Sequence, residues 1–350
     1  MSAAAPVSVL VIDDSAANRR AISHLLEGAA GLTVVGRAAD GEDGLKQVLR
    51  LKPDVITLDL EMPRVDGFTF LRLLMAAAPT PVVVLSSYAH PADVFKALQL
   101  GAFDFVAKPR SGGADDLHPV AAELVEKVRA ARLARRDPSP PGSPPRRPGA
   151  VPPVTVVAVA ASTGGPPAVQ RLLEALDGLP VCVLVAQHMP PRFTSAFAAR
   201  LDQALGFTVA EGTSGARLGA GRVWVAPGGA RLEVVERDGR LVLAVSPAEA
   251  ADLHAPSADA LFASVARHLG PRAHGVVLTG MGQDGAQGVQ ALAAAGATTW
   301  AEAESTAVVF GMPGAAIATG AVQQVLPLGH LGTALARALA LQTDYHRPLR

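Results

Sequence analysis

The chain holds one cysteine, Cys182, in 350 residues. A lone thiol excludes an internal disulfide and a cysteine-built zinc site, and it fits a reducing, cytoplasmic setting. Lysine is scarce as well: five of the 31 basic residues are lysine and the rest arginine, which alongside abundant alanine and proline reads as coding bias. Aromatic residues amount to 4%. No run of 18 apolar residues occurs, so no transmembrane helix and no membrane insertion is expected. The opening MSAAAPVSVLVIDDS has no basic leader and sets two aspartates where a secretory cleavage region would lie. Neither sign of charge is in surplus, the formal net charge being +0. Residues 1–130 carry 16 acidic and 13 basic side chains, 131–152 carry one and five, and the remainder 14 and 13. Neither large block has the basic excess of a nucleic-acid binder, so no nucleic-acid partner is expected.

What is present is 49% hydrophobic and long enough for more than one core. The stretch 135–153, RRDPSPPGSPPRRPGAVPP, offers almost nothing large and apolar to bury. Proline fixes φ and removes donors, so neither helix nor sheet continues through it. Extended as polyproline II, roughly 20 residues reach about 60 Å. The expected organisation is a first domain over 1–130, a Pro/Arg-rich linker over 131–152 and a second domain over 153–345.

Before the linker, short apolar runs at 8–12, 33–36, 55–58, 82–86 and 104–107 alternate with 3.6-residue periodicity at 17–26, 41–51, 68–77, 92–100 and 119–132. Five βα units make an α/β doubly wound parallel sheet, flavodoxin-like when ordered 2-1-3-4-5, with ligands at the carboxyl ends of the strands. After the linker, strands are expected at 154–160, 181–187, 275–279 and 298–301, with helices at 168–175, 192–205, 258–268 and 285–294. The segment 231–245, RLEVVERDGRLVLAV, alternates around Asp238–Gly239 and predicts an antiparallel hairpin. The second domain is therefore also a doubly wound parallel sheet, with a β-hairpin added.

In the first domain Asp13 and Asp14 follow the first strand and Asp59 follows the third, so in that strand order three carboxylates converge. Such a cluster repels itself unless a hard divalent cation sits among them, and a few carboxylates with retained waters suit Mg²⁺. Ser86 and Lys108 end the fourth and fifth strands at the same rim. Metal and lysine neutralising oxygens while an aspartate attacks is the chemistry of phosphoryl transfer onto a carboxylate. Over about 125 residues this half resembles the receiver domain of two-component response regulators. The resemblance implies that Asp59 accepts the phosphoryl group from a histidine kinase, that Asp13 and Asp14 join Asp59 in holding Mg²⁺, and that Ser86 and Lys108 contact the phosphoryl oxygens. It also puts Phe105 at the aromatic switch position.

In the second domain Ser162 leaves a buried strand and enters Thr163-Gly164-Gly165-Pro166-Pro167, a sharp strand-to-helix turn that exposes Oγ beside helix amides. His188 ends the next strand and Asp284 lies in the glycine-rich loop 280–285. Three strand-end loops thus bring a hydroxyl, an imidazole and a carboxylate to one sheet edge: a nucleophile, a base for its proton, and an acid that orients the base. The motifs ASTGG (161–165), QHMP (187–190), APGG (226–229), PSADALF (256–262), LTGMGQDGA (278–286) and GMP (311–313) resemble the catalytic domain of the chemotaxis protein-glutamate methylesterase family, CheB. A receiver followed by this domain is that family's full-length arrangement.

The resemblance implies catalysis by Ser162, His188 and Asp284, with Thr163 and Met281 at the oxyanion site. It implies ester hydrolysis that needs no cofactor, methylated chemoreceptors as substrate, deamidation of receptor glutamines, and occlusion of the cleft by the receiver until Asp59 is phosphorylated. Three positions depart from the family pattern, Ala160, Arg231 and Ala255, and Glu302-Ala303-Glu304 replaces a usual Gln-Asp-Glu. None belongs to the triad, so these departures bear on substrate docking. The competing expectation is a response regulator whose output domain only binds a protein partner.

Overall fold

A computed structural model describes residues 6–87, 91–108, 118–133, 155–250 and 252–345. The chain divides into two compact units, Met1–Ala134 and Arg135–Arg350. From residue 134 onward the expected linker lies outside the described residues.

The first unit runs β1 (Val7–Ile12), α1 (Ala16–Glu27), β2 (Leu32–Ala38), α2 (Gly41–Leu51), β3 (Val55–Asp59), α3 (Gly67–Ala77), β4 (Val82–Ser87), α4 (Pro91–Gln99), β5 (Asp104–Lys108) and α5 (His118–Leu133). Its sheet is parallel throughout in the order β2-β1-β3-β4-β5. Helices on both faces bury β1, β3 and β4 on both sides, which is why those strands read as unbroken apolar runs rather than as alternation. Ser15, Asp40 and Asp66 start α1, α2 and α3, each side chain accepting from the amide three residues on. Such a cap contributes about 1 kcal/mol.

The second unit runs β6 (Thr155–Ala161), α6 (Gly165–Leu176), β7 (Val181–Gln187), α7 (Phe193–Ala204), β8 (Thr208–Glu211), β9 (Arg222–Val225), β10 (Ala230–Arg237), β11 (Arg240–Pro247), α8 (Ala258–Leu269), β12 (Ala273–Val277), α9 (Ala286–Ala294), β13 (Thr298–Glu302), α10 (Gly311–Ala318), β14 (Gln324–Leu326) and α11 (Leu328–Tyr345). Seven strands form a parallel sheet ordered β14-β13-β12-β6-β7-β9-β8. Alternate residues of the central strands supply the core on one face: Val156, Ala158 and Ala160 of β6 and Cys182, Leu184 and Ala186 of β7 join Leu261, Phe262 and Val265 of α8. Leu232 and Val234 of β10 and Leu243 of β11 complete that core, so the hairpin covers part of the same face as α8. Cys182 is buried, and burial pushes its thiol up to about 12, which leaves it protonated and inert.

The hairpin turns at Asp238 and Gly239, both with positive φ (49° and 70°), which Asp-Gly supplies with little strain. Trp224, beside the APGG motif, belongs to the core under this hairpin. The structure adds β8, β9, β14, α10 and α11 to the elements expected. Strands of three or four residues are too short to show a period. In α10 the sequence GMPGAAIA reads as a breaker, yet Pro313 sits in the first turn, where its missing amide costs nothing.

Candidate functional site

In the second unit β6 lies between β7 and β12, so the chain leaves β6 toward one side of the sheet and later returns on the other. Crevices form at the carboxyl ends of strands flanking such a switch point. Ser162, His188 and Asp284 all emerge there, after β6, β7 and β12.

The serine turn is held by backbone. The Ser162 amide donates to Thr279 O at 3.0 Å, and the Gly165 amide donates back to Ser162 O at 2.8 Å. Gly164 has φ +73°, and a Cβ there would sit 2.6 Å from Val308 Cβ, so conformation and space both require glycine. Across the crevice a Cβ on Gly280 would stand 2.3 Å from Met312 Sδ and 2.8 Å from Ser162 Cβ. The LTGMG loop can approach the serine this closely only without a side chain.

Thr279 is the hub beneath the turn. Its hydroxyl donates to Thr163 O at 2.9 Å and accepts from the Val309 amide at 2.9 Å, while its own amide donates to Glu302 Oε2 at 2.9 Å. Glu302 is fully buried, accepts also from the Thr306 hydroxyl at 2.9 Å, and has its pKa raised by that burial. The expectation that this departure concerns substrate docking is therefore corrected: the carboxylate is internal and supports the loop. Ala160 is buried in the core as well.

The His188 amide donates to Ala161 O at 2.9 Å, which ties the two strand ends together. Gln187 reinforces this, its Nε2 donating to Ser162 O at 2.9 Å and to His188 O at 3.2 Å. The imidazole Nε2 lies 2.8 Å from Asp284 Oδ2. Asp284 also accepts the first two amides of α8, from Ala258 at 2.7 Å and from Asp259 at 2.9 Å. A helix N-terminus favours negative charge. Burial pushes the Asp284 carboxyl up, but the His188 ring and these amides outweigh it, and the group stays below the usual aspartate range. An ionised carboxylate only accepts, so Nε2 carries the ring proton and Nδ1 is the basic nitrogen. Nδ1 is buried and has no hydrogen-bond partner among the described residues. The imidazole and carboxylate are thus bonded, whereas the serine hydroxyl is brought to the adjacent strand end without a bond to the ring.

Thr163 is buried in the serine turn and Met281 half-buried in the LTGMG loop. Met281 is fixed through its neighbour, since Gly280 donates to Val309 O at 3.0 Å and Gly280 O accepts from Met312 at 2.8 Å. Among the described residues neither the Thr163 nor the Met281 amide donates to a protein acceptor. Gln187, Thr279 and Glu302 were not expected at the site, although the first two lie inside the quoted motifs. His254 was not expected there either, and its ring stacks on His188.

In the first unit Asp13, Asp14 and Asp59 each offer a carboxylate oxygen within 4.8 Å of the others, Asp13 and Asp59 buried and Asp14 exposed. Three hard oxygen donors at this spacing fit a small divalent cation. Lys108 Nζ donates to Asp13 Oδ2 at 2.9 Å and to Asp59 Oδ2. Burial raises the Asp59 carboxyl to about 6, with Lys108 opposing the rise and Asp13 adding to it. Burial works against the charge on Lys108, yet the two aspartates hold its pKa above the usual lysine value. Ser86 is buried at the end of β4, and Phe105 is buried in β5, its carbonyl accepting from Lys127 at 2.6 Å.

Comparison with known proteins matches both halves. Residues 157–335 match the model of the CheB methylesterase family, and residues 9–118 match that of the response regulator receiver domain. A protein-glutamate methylesterase/protein-glutamine glutaminase of Myxococcus xanthus is 57% identical over 344 residues, covering 96% of this chain and 98% of that protein. One from Anaeromyxobacter dehalogenans is 55% identical, covering 97% of each chain. The crystal structure of the Thermotoga maritima CheB methylesterase catalytic domain superposes with a TM-score of 0.51 at 32% identity, covering 53% of this chain and 99% of that one. Identity over nearly the whole length, with both domains matched in order, makes this chain a receiver-bearing member of the CheB methylesterase family.

Proposed function

We propose that the second unit is a serine hydrolase that removes methyl groups from glutamate methyl esters of chemoreceptors and deamidates receptor glutamines, under control of phosphorylation at the receiver. One observation carries the assignment of its centre: a histidine whose Nε2–H is bound by an ionised aspartate, and whose buried Nδ1 has no partner among the described residues, stands beside a serine on a glycine turn. The Ser162 hydroxyl gives its proton to Nδ1 as Oγ attacks the ester carbonyl, and Asp284 stabilises the imidazolium that forms. The amides of Thr163 and Met281 hold the oxyanion. As the intermediate collapses, the C–O bond to the methoxy group breaks and methanol leaves with the proton from His188. Water then gives a proton to His188 and attacks the acyl-serine, which releases glutamate and restores Ser162. A glutamine side chain follows the same course with ammonia as the leaving group.

In the receiver, Asp59 takes the phosphoryl group from a chemotaxis histidine kinase. Asp13, Asp14 and Asp59 would hold Mg²⁺, which when bound supplies charge neutralisation at the phosphoryl oxygens. Lys108 and Ser86 contact the same oxygens, and Lys108 must then share its charge between the new group and Asp13. No helix among the described residues is long and apolar enough to cross a membrane. The chain acts from the cytoplasm on the receptor's cytoplasmic helices.

Methanol release from methylated receptor tests this reading. Wild type should release methanol and Ser162→Ala should not, with folding unchanged by circular dichroism. Release by Ser162→Ala at the wild-type rate would dismiss the centre.

A further inference from the structure

One aromatic contact at the site has no place in the reaction just described. The His254 ring lies against His188 with centroids 4.3 Å apart and planes 20° from parallel. Its Nε2 is 3.6 Å from where a Cβ on Gly282 would stand, so the ring is wedged between the base and the glycine loop that carries Met281. His254 belongs to the connection between β11 and α8, which is braced from β10. Arg231 donates Nε to Asp252 Oδ2 at 2.7 Å and a terminal nitrogen to Oδ1 at 2.8 Å, and it also pairs with Glu249. Asp252 Oδ2 accepts from the Glu249 amide at 2.8 Å, and the Gly229 amide donates to Ala255 O at 3.1 Å. The Arg231 and Asp252 side chains are only 17% and 5% exposed, which makes this a partly desolvated fork-on-carboxylate pair rather than a surface ion pair.

We propose that His254, held in place by the Arg231–Asp252 brace, is a positioning residue for His188. The inference rests on His188 being the base. A single in-plane bond from Nε2 to Asp284 fixes the tautomer but leaves the ring free to rock about that bond. Rocking swings Nδ1 off the line to Ser162 Oγ. A second ring flat against one face removes that freedom, and it stays in register only while its loop is tethered to β10. Arg231 acts at the far end of this chain of contacts: its guanidinium is committed to Asp252 and Glu249, on the loop that carries His254. Arg231 was expected to bear on substrate docking, and its side-chain partners are Asp252 and Glu249 of the same unit.

The test is steady-state methanol release by full-length protein with Ser162→Ala, His254→Ala, His254→Phe, Arg231→Met and the His254→Ala/Arg231→Met pair, each checked for an unchanged melting transition. A small displacement of a catalytic group costs up to roughly 100-fold. His254→Ala should therefore lower kcat about 10- to 100-fold with KM within about twofold, and His254→Phe, which keeps a flat ring, should recover most of the loss. Arg231→Met should lower kcat in the same way and add little on the His254→Ala background, because both changes break one chain of contacts. An unchanged kcat in His254→Ala, a raised KM alone, no recovery by phenylalanine, or losses that multiply in the double variant would each overturn the proposal. If Ser162→Ala stays active, it is the reading of the centre itself that fails. An inactive Ser162→Ala alongside a fully active His254→Ala removes only this inference.

Discussion

Two aspartates at the carboxyl edge of a sheet, one in each unit, are buried to nearly the same depth, Asp59 at 8% exposure and Asp284 at 6%, and their pKa values shift in opposite directions. Burial pushes both up. Asp59 has a lysine to counter it but a second buried aspartate, Asp13, against it, and ends near 6. Asp284 has a histidine and two helix amides on its oxygens and ends below the usual range. Depth does not set the charge of a buried acid; the donors aimed at it do. The receiver keeps a carboxylate that is easily protonated, whereas the second unit holds one toward its charged form beside a histidine, which is the form the proposed reaction needs.

The contrast can be broken most forcefully at the hydrolase centre. Asp284→Asn should cost about 10³- to 10⁴-fold in kcat, because an amide can donate to Nε2 and so select the wrong tautomer. Measured methanol release within tenfold of wild type would mean the carboxylate's charge is not used. In the receiver, Asp59→Asn should abolish the stimulation of methanol release by acetyl phosphate with Mg²⁺ and leave unstimulated hydrolysis within about twofold. The twofold bound is an order-of-magnitude expectation for a change confined to one independently folded domain. Loss of the unstimulated rate would tie the two carboxylates more closely than the proposed control requires.

The titrations themselves sharpen the comparison. A carbon-detected NMR titration of metal-free protein should show one aspartate carboxyl with a midpoint of about 6, absent from Asp59→Asn. Because that pKa is raised on folding, the native state holds the extra proton between the ordinary aspartate range and about 6. Stability should fall as pH rises through that window and level off above it. An Asp59 carboxyl already ionised in the ordinary range would remove the asymmetry.

The smallest effect concerns a third buried acid, Glu302, whose pKa burial raises. Glu302→Gln keeps an acceptor for the Thr279 amide and removes a charge from the interior. It should raise the melting temperature by about 2–4 °C and flatten the decline in stability above the ordinary glutamate range, with hydrolysis retained. A lower melting temperature in calorimetry would show that the charged form is the one the loop needs.

Much of this was legible in the sequence, and the rest was hidden for identifiable reasons. Ten βα elements of the first unit follow from apolar period and turn residues, and the strand order places Asp13, Asp59 and Lys108 together as found. Ser162, His188 and Asp284 reach one sheet edge because each follows a strand that borders the switch point. What the sequence could not show is how loops pack on loops. His254 gives no ligand spacing and lies 66 positions from His188, counted from their numbers, so only the folded connection before α8 reveals the stack. Glu302 was read as a departure that bears on substrate docking, yet its partners are an amide and a hydroxyl inside the unit. Arg231 likewise announced a charge without its destination.

Asp284 serves two masters, since the oxygens that orient His188 also receive the opening amides of α8. A descendant that gives up esterase chemistry can discard its serine freely, but discarding this aspartate takes the acceptor from the first two amides of a helix whose side chains fill the core. Decayed, non-hydrolytic offshoots of this lineage should therefore retain the acid long after the alcohol is gone, and a surviving aspartate is a poor witness to surviving activity.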